Sequence, residues 1–308
     1  MLQSDFPVYT SLAPRLLENV EAIHEQKSII ESWCAGGFKP ITVNGPNEAE
    51  RIAALGLGIA TEVIESDGKP RISDIARIIR TTKNVRAGII NADCKILAYP
   101  NLARVLGSAL DNAAVCSTRL DINDDGLIEG GGSGFDAFFF DSNCLVGIND
   151  KHFRLGEPWW DYWFPLQMLV DGFSVGALEI PLIIHKGHRV RWAQAYCRQF
   201  RHFCELLKTW KVDEELSPLF SLRGFIHEPR ESDMGVALSQ FIRSLRLSQD
   251  TKILSTELQE VEAFLRTALQ SFISTGGASE LRRELNELKS SRSWRYTALL
   301  REVTKSMR

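Results

Sequence analysis

An amide and a carboxylate, Asn91 and Asp93, directly follow the apolar stretch Ala-Gly-Ile-Ile at residues 87–90. Oxygen-bearing side chains at alternate positions are the ligands that hard divalent cations take in proteins. A carboxylate beside apolar neighbours is also costly unless a positive group compensates it. Asp93 could equally cap a following helix. The residues alone therefore leave two alternatives, an aspartate compensated by a positive group and a helix cap.

Two further carboxylates, Glu157 and Asp161, stand in the aromatic segment LGEPWWDYWFP at residues 155–165. Aromatic surroundings desolvate a carboxylate and raise its pKa, which makes it a stronger base for taking a proton from a hydroxyl. Tryptophan faces also suit the C–H faces of a sugar. The alternative is a set of core aromatic residues with Asp161 as a helix cap.

Two histidines, His185 and His188, lie in the segment LIIHKGHRVRW at residues 182–192. The arginines that follow make a cationic turn suited to a diphosphate. One histidine at the end of a strand is commonplace, and His-x-x-His could suggest a zinc site. No cysteine or further histidine lies near them in sequence, which argues against a zinc site there.

The segment DINDDGLIEGGG at residues 121–132 matches the opening of an EF-hand calcium loop. An EF-hand needs a bidentate glutamate at loop position twelve, where this chain has Gly132. Its flanks, residues 115–122 and 134–140, read as strands and not as helices. We expect an acidic, glycine-rich connection between strands at the rim of a cleft, and calcium sensing is the weaker alternative.

Strands and helices alternate over the first ninety residues. We predict strands at 6–11, 39–44, 61–65 and 87–91, and helices at 14–36, 48–55 and 73–80, the last capped by Ser73. This order indicates a parallel α/β sheet with helices on both faces, in which ligands collect at the carboxyl ends of strands. The strand GFDAFFF at 134–140 is expected to be half-buried.

Composition limits the function classes. The chain has 308 residues, 44% of them hydrophobic, and a net charge of −3, which gives no argument for nucleic acid. Six scattered cysteines indicate reduced thiols in a cytosolic protein. We expect no signal peptide and no membrane span. A change of character near residue 232 predicts one domain at 1–232 and a helical tail at 233–308.

The Asn-Ala-Asp segment resembles the Asp-x-Asp metal motif of GT-A-fold glycosyltransferases, with Asn91 in place of the first carboxylate. The resemblance implies a GT-A-like mixed sheet flanked by helices, with a C-terminal helical appendage. It implies a nucleotide-diphosphate sugar donor and Mn²⁺ or Mg²⁺, with Asp93, His185 and His188 as the metal ligands.

The same resemblance assigns further roles. Asp161 is expected to be the base of an inverting enzyme, and Glu157 is the alternative base. Asp136 is expected to hydrogen-bond a sugar hydroxyl and Arg119 to approach phosphate. The remaining donor-binding positions are Tyr9, Thr10, Ser11 and Asn91.

The tail segment SSRSWRYTALLREV at 290–303 resembles the end of bacterial surface polysaccharide glycosyltransferase modules. This implies a glycan or lipid-linked glycan acceptor and a cytoplasmic enzyme at the inner face of the membrane, in peripheral contact with it. Helical periodicity at 236–247, 255–273 and 279–289 would allow a homo-oligomer. Because Asn91 replaces a carboxylate, the alternative function is a catalytically inactive, glycosyltransferase-like scaffold or binding protein.

Overall fold

A computed structural model describes residues 6–65, 67–82, 84–97, 99, 101–123, 128–130, 134–178, 181–186, 193–210, 231–247, 263–264 and 266–267. Within these ranges the chain forms a ten-stranded mixed sheet with helices packed on both faces. The α/β fold class predicted from the sequence, a mixed sheet flanked by helices, is confirmed.

The first half of the chain builds four parallel strands. Its elements are β1 (Pro7–Thr10), α1 (Val20–Ala35), β2 (Lys39–Asn44), α2 (Pro46–Ala54), β3 (Ala60–Val63), α3 (Ile72–Thr81) and β4 (Arg86–Ile90). β1 pairs in parallel with β2 and β4, and β2 pairs in parallel with β3. All four strands therefore end at one edge of the sheet, which we name the carboxyl edge.

The second half extends the sheet with a strand of opposite direction. Its elements are β5 (Cys94–Ile96), α4 (Leu102–Ala109), β6 (Ala113–Ile122), β7 (Ile128–Gly130), β8 (Phe135–Asp141), α5 (Trp160–Val170), β9 (Ser174–Ala177), β10 (Ile183–Lys186), α6 (Ala193–Thr209) and α7 (Glu231–Ser244). The strand order is β3-β2-β1-β4-β8-β6-β10-β5, with β7 and β9 paired to β6. β8 is antiparallel to β4 and β6, so β8 begins at the carboxyl edge, where β6 and β10 end.

Strand β8 lies in the middle of the core. Phe138 packs on Trp160 with ring centroids 5.1 Å apart, and on the opposite face Phe139 stacks on Phe38 at 5.3 Å. Every residue of β8 is buried, so the expectation of a half-buried strand is wrong. The reason is that helices cover both faces, and each fully buried phenylalanine contributes roughly 1.5–3 kcal/mol.

All three helices predicted in the first ninety residues begin at other residues than predicted, and α2 begins at Pro46 instead of 48. The first helical segment opens with a 3₁₀ turn at Pro14–Leu16, and α1 starts later, where the Asn19 side chain accepts a backbone hydrogen bond at 2.8 Å. Ser73 lies inside the first turn of α3 and is not its cap. The N–H of Ile72 donates to the Phe153 carbonyl at 3.0 Å, so tertiary structure satisfies one of the N–H groups that the first turn leaves without a partner inside the helix.

The helix after position 232 packs onto the main core. Met234, Leu238 and Ile242 of α7 are buried in the same cluster as the tryptophans of α5. The division at residue 232 stays a prediction. The predicted helix at 279–289 and the segment at 290–303 lie outside the described residues, as does most of the predicted helix at 255–273. No helix of the described ranges combines the length and the apolarity that crossing a membrane requires.

Candidate functional site

Five ionisable side chains meet at the carboxyl edge of the sheet, and we name them the edge cluster. They come from the turn after β4, the end of β6, the start of β8 and β10: Asp93, Arg119, Asp121, Asp136 and His185. β4, β6 and β10 are parallel and β8 runs against them, so three strand ends and one strand beginning face each other. Asp93, which the rule that ligand-binding residues follow strands singled out, lies beside the other four, and its role as a ligand stays a prediction.

The His185 ring is held between two carboxylates. Its Nδ1 lies 2.8 Å from Asp121 Oδ1, and its Nε2 lies 3.5 Å from Asp93 Oδ2. Burial lowers the histidine pKa, but the hydrogen bonds to Asp121 and then Asp93 outweigh burial and raise the pKa to about 9. The His185 side chain is 7% exposed and that of Asp93 is 46% exposed, so a ligand can approach this pair from the side of Asp93.

The Arg119 guanidinium bridges two carboxylates. Its Nε lies 2.9 Å from Asp121 Oδ1 and its Nη1 lies 2.6 Å from Asp136 Oδ2. Burial acts to lower the pKa of Arg119, but Asp136 and Asp121 together raise it. Arg119 therefore stays charged and organises the cluster, while its predicted approach to a phosphate stays a prediction.

Asp136 and Asn91 are bound to each other. The Asn91 side-chain amide donates to Asp136 Oδ1, and its backbone N–H donates to the Asp136 carbonyl at 2.9 Å. Burial raises the Asp136 pKa, and the adjacent Arg119 opposes that shift. Both oxygens of Asp136 thus have protein partners, and its hydrogen bond to a sugar hydroxyl stays a prediction. Asn91 has its side-chain carbonyl oxygen left to offer a ligand.

Asp161 lies in the first turn of α5, beside the start of β8. Its Oδ2 accepts a hydrogen bond from the Phe135 backbone N–H at 3.3 Å. Burial, followed by the nearby charge of Asp136, raises the Asp161 pKa to about 7. A Cβ at Gly134 would lie only 2.5 Å from this oxygen, so the close approach needs glycine. The Asp161 side chain is thus partly buried beside the edge cluster, and its pKa lies near neutrality.

The backbone that leads into α5 is strained. Trp159 has φ of 74° and ψ of −16°, a left-handed conformation that is rare for a bulky residue. Such strain costs of order 1–3 kcal/mol and tends to occur at functional sites. Trp159 is buried against Phe200 and Phe203 of α6, with centroids 4.8 and 5.7 Å away, and this packing holds the strained turn in place.

Glu157, the alternative base, faces α6. Its Oε2 accepts a hydrogen bond from Gln199 Nε2 at 2.7 Å and lies 3.7 Å from Arg198 Nη2. The preceding residue, Gly156, accepts a hydrogen bond from the Lys69 ammonium group through its carbonyl. Glu157 is therefore tied to a helix, whereas Asp161 is tied to the strand that carries Asp136.

The three donor-binding positions on β1 and just after it differ in exposure. Tyr9 is fully buried and its hydroxyl accepts from Asn84 at 3.4 Å, so its ring offers no surface to a nucleotide in this conformation. The Thr10 hydroxyl is buried without a hydrogen-bond partner among the described residues. Ser11 is partly exposed, and its Oγ accepts from Asn44 Nδ2 at 3.4 Å. Donor binding by these three residues stays a prediction.

Two polar residues of this edge were missed as site candidates from the sequence. Asp121 was considered only as a calcium ligand, but it pairs with His185 across neighbouring parallel strands. Asn44 ends β2, is fully buried, and donates to the Leu12 carbonyl at 2.7 Å and to Glu48 at 3.0 Å. The signal for Asn44 was available, because it is a polar residue at a strand end before Gly45. Asp121 needed knowledge of strand pairing.

Some predicted positions cannot be placed. His188, the third expected metal ligand, lies outside the described residues, as do 124–127 and 131–133 of the calcium-like segment. The described part of that segment is flanked by β6 and β7, an antiparallel pair, where an EF-hand has helices.

Comparison with known proteins gives structural likenesses only. No family model matches the chain, and no curated protein matches it. A mannosyltransferase from Pyrobaculum calidifontis, solved with GDP-Man and Mn²⁺, is 12% identical, with 90% of this chain and 86% of that chain covered and a TM-score of 0.44.

Two further structures are similar in the same way. A nucleotidyl transferase from Methanothermobacter is 14% identical, with 66% of this chain and 99% of that chain covered and a TM-score of 0.39. A protein described as a nucleotide-diphospho-sugar transferase, from Desulfovibrio desulfuricans G20, is 11% identical, with 74% and 98% covered and a TM-score of 0.33. All three TM-scores are below 0.5, so the function is argued below from this chain's own residues.

Proposed function

We propose that this chain is a metal-assisted glycosyltransferase that moves a sugar from a nucleotide-diphosphate donor to a hydroxyl of a glycan acceptor. One observation carries the proposal. The Nε2 of His185 faces Asp93 while Asp121 holds the opposite ring nitrogen, and this arrangement adjoins a partly buried carboxyl, Asp161, whose pKa is raised to about 7.

The cation half of the site rests on how His185 is held. Metal-ligating histidines almost always use their second ring nitrogen on a carboxylate or carbonyl, which fixes the ring and its tautomer. Asp121 supplies that carboxylate at 2.8 Å. The Nε2 of His185 and Oδ2 of Asp93 are 3.5 Å apart, so one ion could contact both at about 2.1 Å.

The charge of the edge cluster also favours a cation. A histidine binds a metal in its neutral form, so the ion would displace the His185 proton. Three carboxylates, Asp93, Asp121 and Asp136, would then face one cationic group, Arg119. The cluster therefore carries excess negative charge, which Mn²⁺ or Mg²⁺ would neutralise. When bound, the ion would act as a Lewis acid for the departing nucleotide diphosphate. Asp93 and His185 would hold it, with His188 as the proposed third ligand.

The second half of the site is a base. A general base works best when its pKa lies near the working pH, and burial brings Asp161 to about 7. The Phe135 N–H fixes one oxygen of Asp161, which leaves the other to accept the proton of an acceptor hydroxyl. A base that activates the acceptor implies inversion at the sugar. Glu157 is the second choice because Gln199 and Arg198 already engage it.

The physiological setting rests on the resemblance of the tail alone. We place the enzyme in bacterial surface polysaccharide synthesis, acting on a glycan or lipid-linked glycan in the cytoplasm at the inner face of the membrane. Peripheral contact with that membrane and self-association would come from the tail beyond α7.

The test is a panel of nucleotide sugars with Mn²⁺, Mg²⁺ or a chelator, read out by donor hydrolysis and by Mn²⁺-dependent binding of UDP and GDP. Asp93→Ala should weaken metal-dependent nucleotide binding by at least ~100-fold. Replacing a residue that only hydrogen-bonds a metal ligand already costs up to ~100-fold in metal affinity, and replacing the ligand itself should cost at least as much. Asp111→Ala, an exposed aspartate in the turn before β6, is the matched control and should bind normally. Undiminished Mn²⁺-dependent binding in Asp93→Ala would contradict the assignment.

A catalytically inactive scaffold is the second candidate, and one observation favours it. The side-chain amide of Asn91 donates a hydrogen bond to Asp136. GT-A-fold enzymes usually have a metal-binding carboxylate at the position that Asn91 occupies here. A chain without donor hydrolysis, and without a nucleotide-induced rise in melting temperature across the panel, would support the scaffold over the enzyme.

A further inference from the structure

A second group of metal-ligand side chains is present outside the edge cluster. Asp150 and His152 lie in the loop between β8 and α5, and His202 lies on α6. Asp150 Oδ1 is 3.2 Å from His152 Nδ1, and Asp150 Oδ2 is 2.7 Å from His202 Nε2. One ligand atom from each of the three residues lies within 4.8 Å of the other two.

The surrounding contacts hold two of these three side chains in position. The Asp150 side chain accepts the His152 backbone N–H at 2.7 Å, which fixes the short loop. The His202 ring lies 5.4 Å from Phe153, which is buried and stacks on Trp163 at 4.6 Å. The His152 side chain is 62% exposed, and its ring packs on that of His202 with ring centroids 3.8 Å apart.

The donor set defines the ligand class. Two imidazoles and one carboxylate are the set that Zn²⁺ and similar transition ions accept, whereas Mg²⁺ and Ca²⁺ prefer oxygen ligands alone. We propose that Asp150, His152 and His202 form a transition-metal site, preferentially for Zn²⁺, with water from the exposed side as the fourth ligand. Tetrahedral zinc ligands are about 3.3 Å apart, so the most distant pair of these donors, which are at most 4.8 Å apart, would close by no more than about 1.5 Å on binding.

The proposed zinc site is connected by hydrogen bonds to Glu157, in the segment that leads into α5. Gln199 on α6 donates through its Nε2 to the His152 carbonyl at 2.8 Å and to Glu157 Oε2 at 2.7 Å. An ion held between the loop and α6 would therefore fasten the segment that leads into the strained turn at Trp159. The role of this ion is structural and does not depend on the proposed glycosyl transfer.

The experiment uses the full chain with Asp93→Ala and Cys34→Ser, which remove the proposed catalytic ligand and an exposed thiol. Titration with Co²⁺, followed by its visible absorption, should give one tetrahedral site per chain, and Zn²⁺ should displace the Co²⁺. Adding His152→Ala should weaken binding by at least ~100-fold. His24→Ala, an exposed histidine on α1, should change nothing.

Thermal unfolding provides the second measurement. Zn²⁺ should raise the melting temperature of the parent and leave that of the His152→Ala variant unchanged, because a ligand stabilises only a fold that binds it. His152 is exposed, so its replacement is expected to leave the fold intact. Parent binding weaker than roughly 0.1 mM would overturn the zinc site. Equal Co²⁺ affinity with and without His152 would overturn it as well.

Discussion

Replacing Asp161 with asparagine should change how the stability of this protein depends on pH. Its pKa is raised from 3.8 to about 7, so the folded state holds a proton that the unfolded state releases. The stability that this proton gives is complete below about pH 4 and is lost as the pH rises through about 7. A shift of about three units, at 1.36 kcal/mol per unit, amounts to about 4 kcal/mol well above pH 7.

The Asp161→Asn variant removes this dependence because its amide does not titrate. The amide oxygen can still accept the Phe135 N–H. The NH₂ group, however, has two N–H donors, whereas the carboxyl has at most one O–H donor, and a buried donor without an acceptor costs about 1–3 kcal/mol. That cost is the same at both ends of the pH range. The difference in unfolding free energy between variant and wild type should therefore move by roughly 3 kcal/mol in favour of the variant from about pH 4.5 to about pH 8.

Urea unfolding followed by tryptophan fluorescence measures this difference directly. Asp111→Asn, at an exposed position, is the matched control and should follow the wild type at every pH. A difference between Asp161→Asn and wild type that stays constant across the range would refute the raised pKa, and with it the reason for choosing Asp161 as the base.

Two further predictions concern activity and metal binding. The Asp161→Asn variant should bind donor and metal normally but transfer sugar at least ~10²-fold more slowly in a transfer assay. The Glu157→Gln variant should lose much less activity. If Glu157→Gln is instead the slower variant, Glu157 is the base. Asp121→Asn should weaken Mn²⁺ binding by ~10–100-fold through loss of the group that orients His185, as calorimetry can measure. If Asp121→Asn instead abolishes micromolar Ca²⁺ binding that Asp93→Ala retains, the calcium interpretation of residues 121–132 is restored.

Local sequence patterns predicted those helices and strands well whose bounds are set by neighbouring residues in the sequence. β2 occupies the predicted residues, Lys39–Asn44, because an apolar run there ends at an Asn-Gly-Pro turn. Ser73 was wrong as the cap of α3, because Arg71 occupies the cap position and the Phe153 carbonyl, about eighty residues away, accepts from the first N–H of the helix. A cap of this kind leaves no trace in the neighbouring sequence.

In the edge cluster, too, one residue could be predicted from local sequence and others depend on contacts between residues distant in sequence. Asp93 was predicted because ligand-binding residues tend to follow strands, a rule that needs only the order of elements. The contact between Asp121 and His185 depends on the register of β6 against β10, which no local pattern specifies. Asp150, His152 and His202 were not singled out, because His202 meets the other two only when α6 folds back on the loop.

The reversed direction of β8 has a consequence for how this protein could diversify. The chain leaves the edge cluster at Asp121 and returns to it at Asp136, so the residues between them start and finish at the same place. Arg119 binds both of these aspartates and fixes the two ends. Insertions or deletions between positions 123 and 133 would therefore leave Asp93, His185 and Asp161 in place, because a connection between fixed ends tolerates changes in length. Among relatives of this chain, we expect length differences to concentrate in this connection.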